Sequence, residues 1–142
     1  IGDGELRNDL KENVSTLGWQ NKLEVIKQLH QADIYLSTSS WEGLPLAVIE
    51  AMGCGLPLVL NNCLGNKDLV VKNKNGFLFN SFEEAVSQIN ILTNNHKKRL
   101  DYSEASRTIY TEQFENFKCA STYFQLYQTK VPSRKRKLFS RG

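Results

Sequence analysis

The chain of 142 residues is long enough for one domain with a buried core. Its composition, 40% hydrophobic and 23% charged, is ordinary for a globular domain, and no apolar run approaches the roughly 18 residues that a membrane-spanning helix needs. The net charge of +3 is uneven, because residues 131–142 hold five Lys or Arg and no acidic residue. Residues 1–130 lack a basic stripe with interleaved aromatic residues, which argues against nucleic acid as a partner.

The cysteines and the two ends of the chain bear on the cellular compartment and on the domain boundaries. Cys54, Cys63 and Cys119 have neither C-x-x-C spacing nor a ligand-spaced histidine, which predicts reduced thiols, no metal site and a cytoplasmic protein. The chain opens on I-G-D-G rather than Met, so we expect residues 1–130 to be an N-terminally truncated domain. The basic segment 131–142 predicts a solvated, disordered tail; peripheral contact with an anionic membrane, at its inner face, is the alternative.

Predicted strands and helices alternate along the first 80 residues. The predicted strands cover 14–18, 33–37, 56–60 and 77–79. The predicted helices cover 5–13, 22–31, 45–53 and 65–72, and a helical pattern continues from 81 to about 130 with breaks near Asn94 and Asn116. Near-continuous apolar strands between helices predict a parallel sheet covered on both faces. The expected fold is therefore a doubly wound α/β domain with a helical C-terminal end.

Residues 33–60 carry the specific chemistry. In open parallel sheets, ligands bind outside the carboxyl ends of the strands, where the loop 38–44 is predicted to lie. The helix that begins near Pro45 points its N-terminus into the same crevice, where unpaired N–H groups and the helix dipole favour a phosphate. Gly43 lets the backbone approach a ligand closely. The pattern predicts an anion-binding crevice.

Two glutamates flank this helix N-terminus. Glu50 lies among apolar residues of the helix, so we expect a mostly buried carboxylate that a sugar or ribose hydroxyl pair could satisfy. A glutamate on a solvated stripe, or one paired with a lysine, is the alternative. Glu42 precedes the helix and stands at the mouth of the crevice, and an ordinary loop glutamate remains the alternative for it.

The stretch E-G-L-P-L-A-V-I-E-A-M-G-C-G-L-P-L-V resembles the donor-site signature of the glycosyltransferase group 1 family, the large family four of retaining GT-B enzymes. The resemblance extends from the opening G-D-G through A-D-I-Y-L-S to N-G-F-L-F and the terminal Y-F-Q-L-Y pattern. It implies a Rossmann-like domain, the C-terminal half of a GT-B fold, which binds a nucleotide-diphosphate sugar.

The resemblance also implies individual roles. Glu50 would accept hydrogen bonds from the ribose, and Glu42, the catalytic candidate, would contact the transferred sugar. The backbone amides implied for the sugar and diphosphate are those of Gly43, Leu44, Leu46 and Ala47. The base would rest near Gly18 and Trp19, although a partly buried structural Trp19 is the alternative. Gly2 and Gly4 match the glycine turn of the family.

Family members transfer a sugar with retention and without a bound metal, so the resemblance implies neither a metal site nor a cofactor. The basic pair on the first loop of the family's domain, and its N-terminal acceptor domain, would lie upstream of Ile1, and we expect the chain alone to be inactive. The G-N-K-D-L segment, residues 65–69, resembles members that build lipopolysaccharide, capsule or exopolysaccharide on glycan or lipid-linked acceptors. A sugar-nucleotide epimerase of GT-B type and a non-catalytic interaction module stay open as alternatives.

Overall fold

The computed structural model describes residues 13–115 and 120–126. The strands are β1 (Tyr35–Ser37), β2 (Leu58–Asn61) and β3 (Gly76–Phe79). The helices are α1 (Lys22–Gln31), α2 (Leu46–Gly53), α3 (Leu64–Lys67), α4 (Phe82–Asn94) and α5 (His96–Gln113), and residues 120–126 are also helical. The predictions for Gly2, Gly4, most of 5–13, Asn116, Cys119 and 131–142 lie outside the described residues.

The three strands form a parallel sheet in the order β1-β2-β3. Tyr35 of β1 pairs with Leu58 of β2, and Leu58 pairs in turn with Gly76 of β3. The central strand reads L-V-L-N, and its three apolar residues are buried. The predicted parallel sheet is therefore confirmed.

Helices cover the two faces of the central strand. Leu58 and Leu60 pack on one face with residues of α2 and α5, in a cluster that includes Val48, Met52 and Ile109. Val59 points to the other face, where the cluster contains Phe79, Ala85, Leu92 and Tyr102 of β3, α4 and α5. Because successive side chains of a strand alternate between faces, this division follows from the apolar run of β2.

Local capping signals predict the helix ends well. The side chain of Asn21 accepts a hydrogen bond from the Glu24 amide at 3.0 Å, and that of Ser81 accepts one from the Glu84 amide at 3.2 Å. Gly55 has a φ of +76° and ends α2. Its N–H donates to the Met52 carbonyl, and the next amide donates to the Ala51 carbonyl, which is the Schellman arrangement.

Other boundaries differ from the predictions. Residues 14–17 form no regular strand, and Gly18 makes a single bridge, so the predicted strand over 14–18 is wrong. The strand predicted from residue 56 begins at Leu58, because the amide of Leu56 is used to close the end of α2. Pro45 is the N-cap of α2 rather than its first helical residue.

The helix predicted over 65–72 is the four-residue α3, and the chain after it wraps around one buried side chain. The Asn75 side-chain amide donates to the Leu69 carbonyl at 3.0 Å, and its oxygen accepts from the Val71 amide at 2.8 Å. These bonds hold residues 69–75 in a turn that delivers Gly76 to β3, so the helix cannot continue.

Within residues 13–115 and 120–126, no helix combines the length and the apolar character needed to cross a bilayer.

Candidate functional site

The site predicted from the sequence lies at the carboxyl edge of the sheet. The loop 38–45 follows β1 and carries Glu42, and α3 follows β2 at the same edge. Because neighbouring parallel strands end at the same edge, this loop and α3 lie next to each other at the carboxyl edge of the sheet. The Gly65 amide of α3 donates to the Glu42 carbonyl at 3.1 Å, so the two segments are in direct contact.

The N-terminus of α2 lacks a side-chain cap. Its N-cap is Pro45, which makes no side-chain hydrogen bond, although its carbonyl accepts from the amides of Val48 at 3.0 Å and Ile49 at 3.2 Å. Among the described residues, no hydrogen-bond acceptor faces the amides of Leu46 and Ala47. Both residues are exposed, so two unpaired donors and the positive end of the helix dipole face solvent here.

The structure places Glu42 and Glu50 close enough to Tyr35 for the charges of both carboxylates to act on its hydroxyl group. Burial raises the pKa of Tyr35 above its ordinary value of 10.0, and the negative charges of Glu42 and Glu50 raise it further. Tyr35 packs against the cluster that contains Val48 and Met52, on the face of the sheet that α2 covers. No role for Tyr35 could be predicted, because the approach of both carboxylates to it depends on packing that the sequence does not reveal.

Glu50 is exposed, so the prediction of a buried carboxylate is wrong. The buried residues of α2 are Val48, Ala51 and Met52, whereas Leu46 is 65% exposed despite being apolar. An apolar sequence around Glu50 therefore did not mean apolar surroundings. The carboxylate lies on the solvated side of the helix, which is the alternative stated above.

Gly43 and Gly65 differ in the space around them. A Cβ atom added to Gly43 would meet nothing within 4 Å, so the chain itself does not require glycine there. A Cβ atom on Gly65 would lie 2.5 Å from the Gly43 carbonyl oxygen and 2.7 Å from that of Glu42. Gly65 thus allows α3 to support the Glu42 loop, a role that sequence reasoning missed although the glycine stands in the helix right after β2.

The two residues predicted to hold the base, Gly18 and Trp19, differ in their exposure to solvent. Trp19 is 82% exposed, so the alternative of a partly buried structural tryptophan is wrong. Gly18 is buried and has a φ of +65°, a conformation that favours glycine. Their contact with a base stays a prediction.

The model of the family described as "Glycosyl transferases group 1" matches residues 6–109. The chain is 43% identical over 88 residues to the UDP-Gal:alpha-D-GlcNAc-diphosphoundecaprenol alpha-1,3-galactosyltransferase of Escherichia coli, a match that covers 55% of this chain and 22% of that enzyme.

Solved structures share the fold. Anabaena HepE, solved in complex with UDP-glucose, superposes with a TM-score of 0.77 at 22% identity, over 85% of this chain and 34% of that one. The C-terminal domain of a glycosyl transferase group 1 protein, LpcC of Francisella tularensis, does so with a TM-score of 0.62 at 18% identity, over 72% of this chain and 53% of that one.

The α/β architecture with its parallel sheet is that of a GT-B glycosyltransferase domain. The chain belongs to the glycosyl transferases group 1 family, since the family model matches well over half of its residues. It spans only about a fifth to a third of the length of the curated relatives that head the comparison.

Proposed function

We propose that the chain is the C-terminal, donor-binding domain of a retaining glycosyltransferase that uses a nucleotide-diphosphate sugar. The observation that carries the proposal is the uncapped N-terminus of α2 at the carboxyl edge of the sheet, with Glu42 on the loop before it and the exposed Glu50 on the helix itself. The likeness to the C-terminal domain of LpcC supports the assignment to the C-terminal half.

The diphosphate is the part of the donor that best fits the N-terminus of α2. The unpaired amides of Leu46 and Ala47 lie at an exposed helix end with the positive end of the helix dipole behind them. Donors held in place in this way stabilise the negative charge that develops on a departing diphosphate, without reorganisation during the reaction. In the proposal, the amides of Gly43 and Leu44 extend this set along the loop.

The carboxylates would bind the two sugars of the donor. Glu50 accepts hydrogen bonds from the hydroxyl groups of the ribose, and Glu42, the proposed catalytic residue, contacts the transferred sugar. Exposure of Glu50 in the free chain supports this role, because an accessible carboxylate with no described hydrogen-bond partner can accept two hydroxyl donors. The exposed ring of Trp19, next to Gly18, offers a stacking surface for the base.

The proposed reaction needs a second domain that contacts the acceptor, so the chain alone binds the donor but transfers no sugar. The Escherichia coli relative is named for a UDP-galactose donor and a diphosphoundecaprenol-linked acceptor. We therefore favour a UDP-sugar and a glycan or lipid-linked acceptor, in the synthesis of lipopolysaccharide, capsule or exopolysaccharide. The basic residues of 131–142 would support peripheral contact of a cytoplasmic enzyme with an anionic membrane surface.

Titration calorimetry of the 142-residue chain with UDP, GDP and ADP tests the donor site. We expect weak binding of one nucleotide, and loss of that binding in Glu50→Gln. Glu83→Gln is the matched control, because it removes the same charge from α4, which packs on the opposite face of the sheet. A folded chain that binds none of the three nucleotides would overturn the proposal.

A further inference from the structure

Two hydrogen bonds hold the loop that carries Glu42, one from the end of β2 and one from α3. The side-chain amide of Asn61, the last residue of β2, donates to the Ser39 carbonyl at 3.0 Å. The Gly65 amide donates to the Glu42 carbonyl at 3.1 Å. Both bonds reach backbone groups of the loop, so together they determine where Glu42 stands relative to α2.

A second asparagine holds the first. Asn66 lies in α3 with no exposed surface, and its side-chain amide donates to the Asn61 carbonyl at 2.9 Å. Asn66 thus fixes the backbone of Asn61, while the side chain of Asn61 donates to the loop. Asn66 directly follows Gly65, so α3 provides one hydrogen bond to the loop and supports the residue that donates the other.

Stability alone does not account for an asparagine at position 66. Its side-chain oxygen is buried and has no hydrogen-bond partner among the described residues, a situation that costs free energy. Asn75 is equally buried but uses both ends of its side chain, to Leu69 and Val71. The two asparagines therefore form a natural pair for comparison.

We propose that Asn66 is a positioning residue for the donor site, which acts through Asn61 and the Ser39 carbonyl on the loop that carries Glu42. The inference rests on the function proposed above, because the donor is the ligand that this loop would bind. The two asparagines are equally buried but have different roles. Asn75 stabilises the fold, whereas Asn66 positions the loop of the donor site.

The test compares Asn66→Leu with Asn75→Leu, two variants of similar volume at equally buried positions. We expect Asn75→Leu to lower the urea midpoint of unfolding and to leave the nucleotide affinity of the folded chain unchanged. Asn66→Leu should change the midpoint little, because the unpartnered oxygen disappears with the lost bond, yet weaken nucleotide affinity about 2- to 30-fold. A drop in the midpoint of Asn66→Leu with unchanged affinity would overturn the inference.

Amide hydrogen exchange provides a readout without ligand. Exchange of the Gly65 amide should accelerate in Asn66→Leu relative to the amide of Leu60, which lies in the central strand. Equal protection of the Gly65 amide in the variant and the unmodified chain would refute the positioning role.

The same measurements distinguish the two proposals from each other. If the unmodified chain binds no nucleotide, the proposed function fails, while the exchange data still decide whether Asn66 holds the loop. If Asn66→Leu does not fold, Asn61→Ala takes its place, because Asn61 is only half-buried and its side chain makes the bond to Ser39 directly. Unchanged affinity and unchanged exchange in Asn61→Ala would then count against the inference.

Discussion

Substitution of Gly43 by alanine should separate ligand binding from folding more cleanly than any other change in the loop. The chain leaves at least 4 Å of free space where the new Cβ would stand, and the φ angle of Gly43 is outside the range that alanine avoids. A methyl group therefore fits the free protein. It would stand between the backbone and a ligand that approaches from solvent.

The expected magnitudes have opposite signs for folding and binding. Replacing glycine by alanine in a permitted conformation stabilises a fold by about 0.4–1 kcal/mol, because the unfolded chain loses freedom. A methyl group forced into a tight contact costs about 1–3 kcal/mol, which is roughly 5- to 150-fold in donor affinity. Gly43→Ala should thus unfold at the same or a slightly higher denaturant concentration and bind the nucleotide sugar much more weakly.

Gly65→Ala is the contrasting variant. Its Cβ would lie 2.5 Å from the Gly43 carbonyl oxygen, a backbone atom that cannot move independently of the loop. Overpacking of about 1–3 kcal/mol outweighs the roughly 1 kcal/mol that alanine gains over glycine in a helix. This variant should lose both stability and affinity.

Urea unfolding followed by circular dichroism, together with calorimetric titration of the nucleotide sugar, checks both glycine variants. If Gly43→Ala binds the donor as tightly as the unmodified chain, the ligand does not approach this peptide. If Gly65→Ala is as stable as the unmodified chain, the contact between α3 and the loop is absent in solution.

Three further changes test other contacts. Glu50→Gln should weaken nucleotide binding about 10- to 150-fold, and a 2′-deoxynucleotide should show a smaller difference between variant and unmodified chain, as calorimetry can measure. Gly76→Ala places a Cβ 2.4 Å from the Leu58 carbonyl oxygen and should lower the thermal midpoint, since the pairing of β2 with β3 must open. Because the pKa of Tyr35 is raised in the folded state, its contribution to stability is present below pH 10.0 and is lost as the pH rises through the folded pKa. Urea unfolding followed from below to above pH 10.0 should show this loss, and Tyr35→Phe should show less of it.

Features determined by a few neighbouring residues could be predicted from the sequence. Asn21 and Ser81 are recognisable as N-caps because each is a short polar residue directly before a helical pattern, and in the structure the side chains of both cap their helices. Gly55 is recognisable as a helix end because a glycine directly after a helical pattern can adopt the positive φ angle that ends the helix. The parallel sheet follows from apolar strands separated by helices, since burial on both faces leaves no polar alternation.

Features that depend on distant contacts could not be predicted. The burial of Glu50 was overpredicted because apolar neighbours in sequence say nothing about which side of α2 has a partner. The role of Gly65 depends on the loop 38–45 lying against α3, which requires the register of two strands. The approach of Glu42 and Glu50 to Tyr35 also depends on how α2 and the loop pack on β1. In each case the missing information is the packing of one element on another.

The two ends of α2 differ in how completely their backbone polar groups are satisfied, and this difference supports the proposed site independently of the family match. At the amino edge, the C-terminal end of α2 is closed by the amides of residues 54–56, and the Arg107 guanidinium donates to the Gly53 carbonyl. At the carboxyl edge, the same helix leaves the amides of Leu46 and Ala47 without an acceptor among the described residues. A polar N-cap in place of Pro45 would stabilise α2 by about 1 kcal/mol, so stability does not favour the proline. Unpaired amides at one end of an otherwise well-capped helix are hydrogen-bond donors for a phosphate group of the proposed ligand.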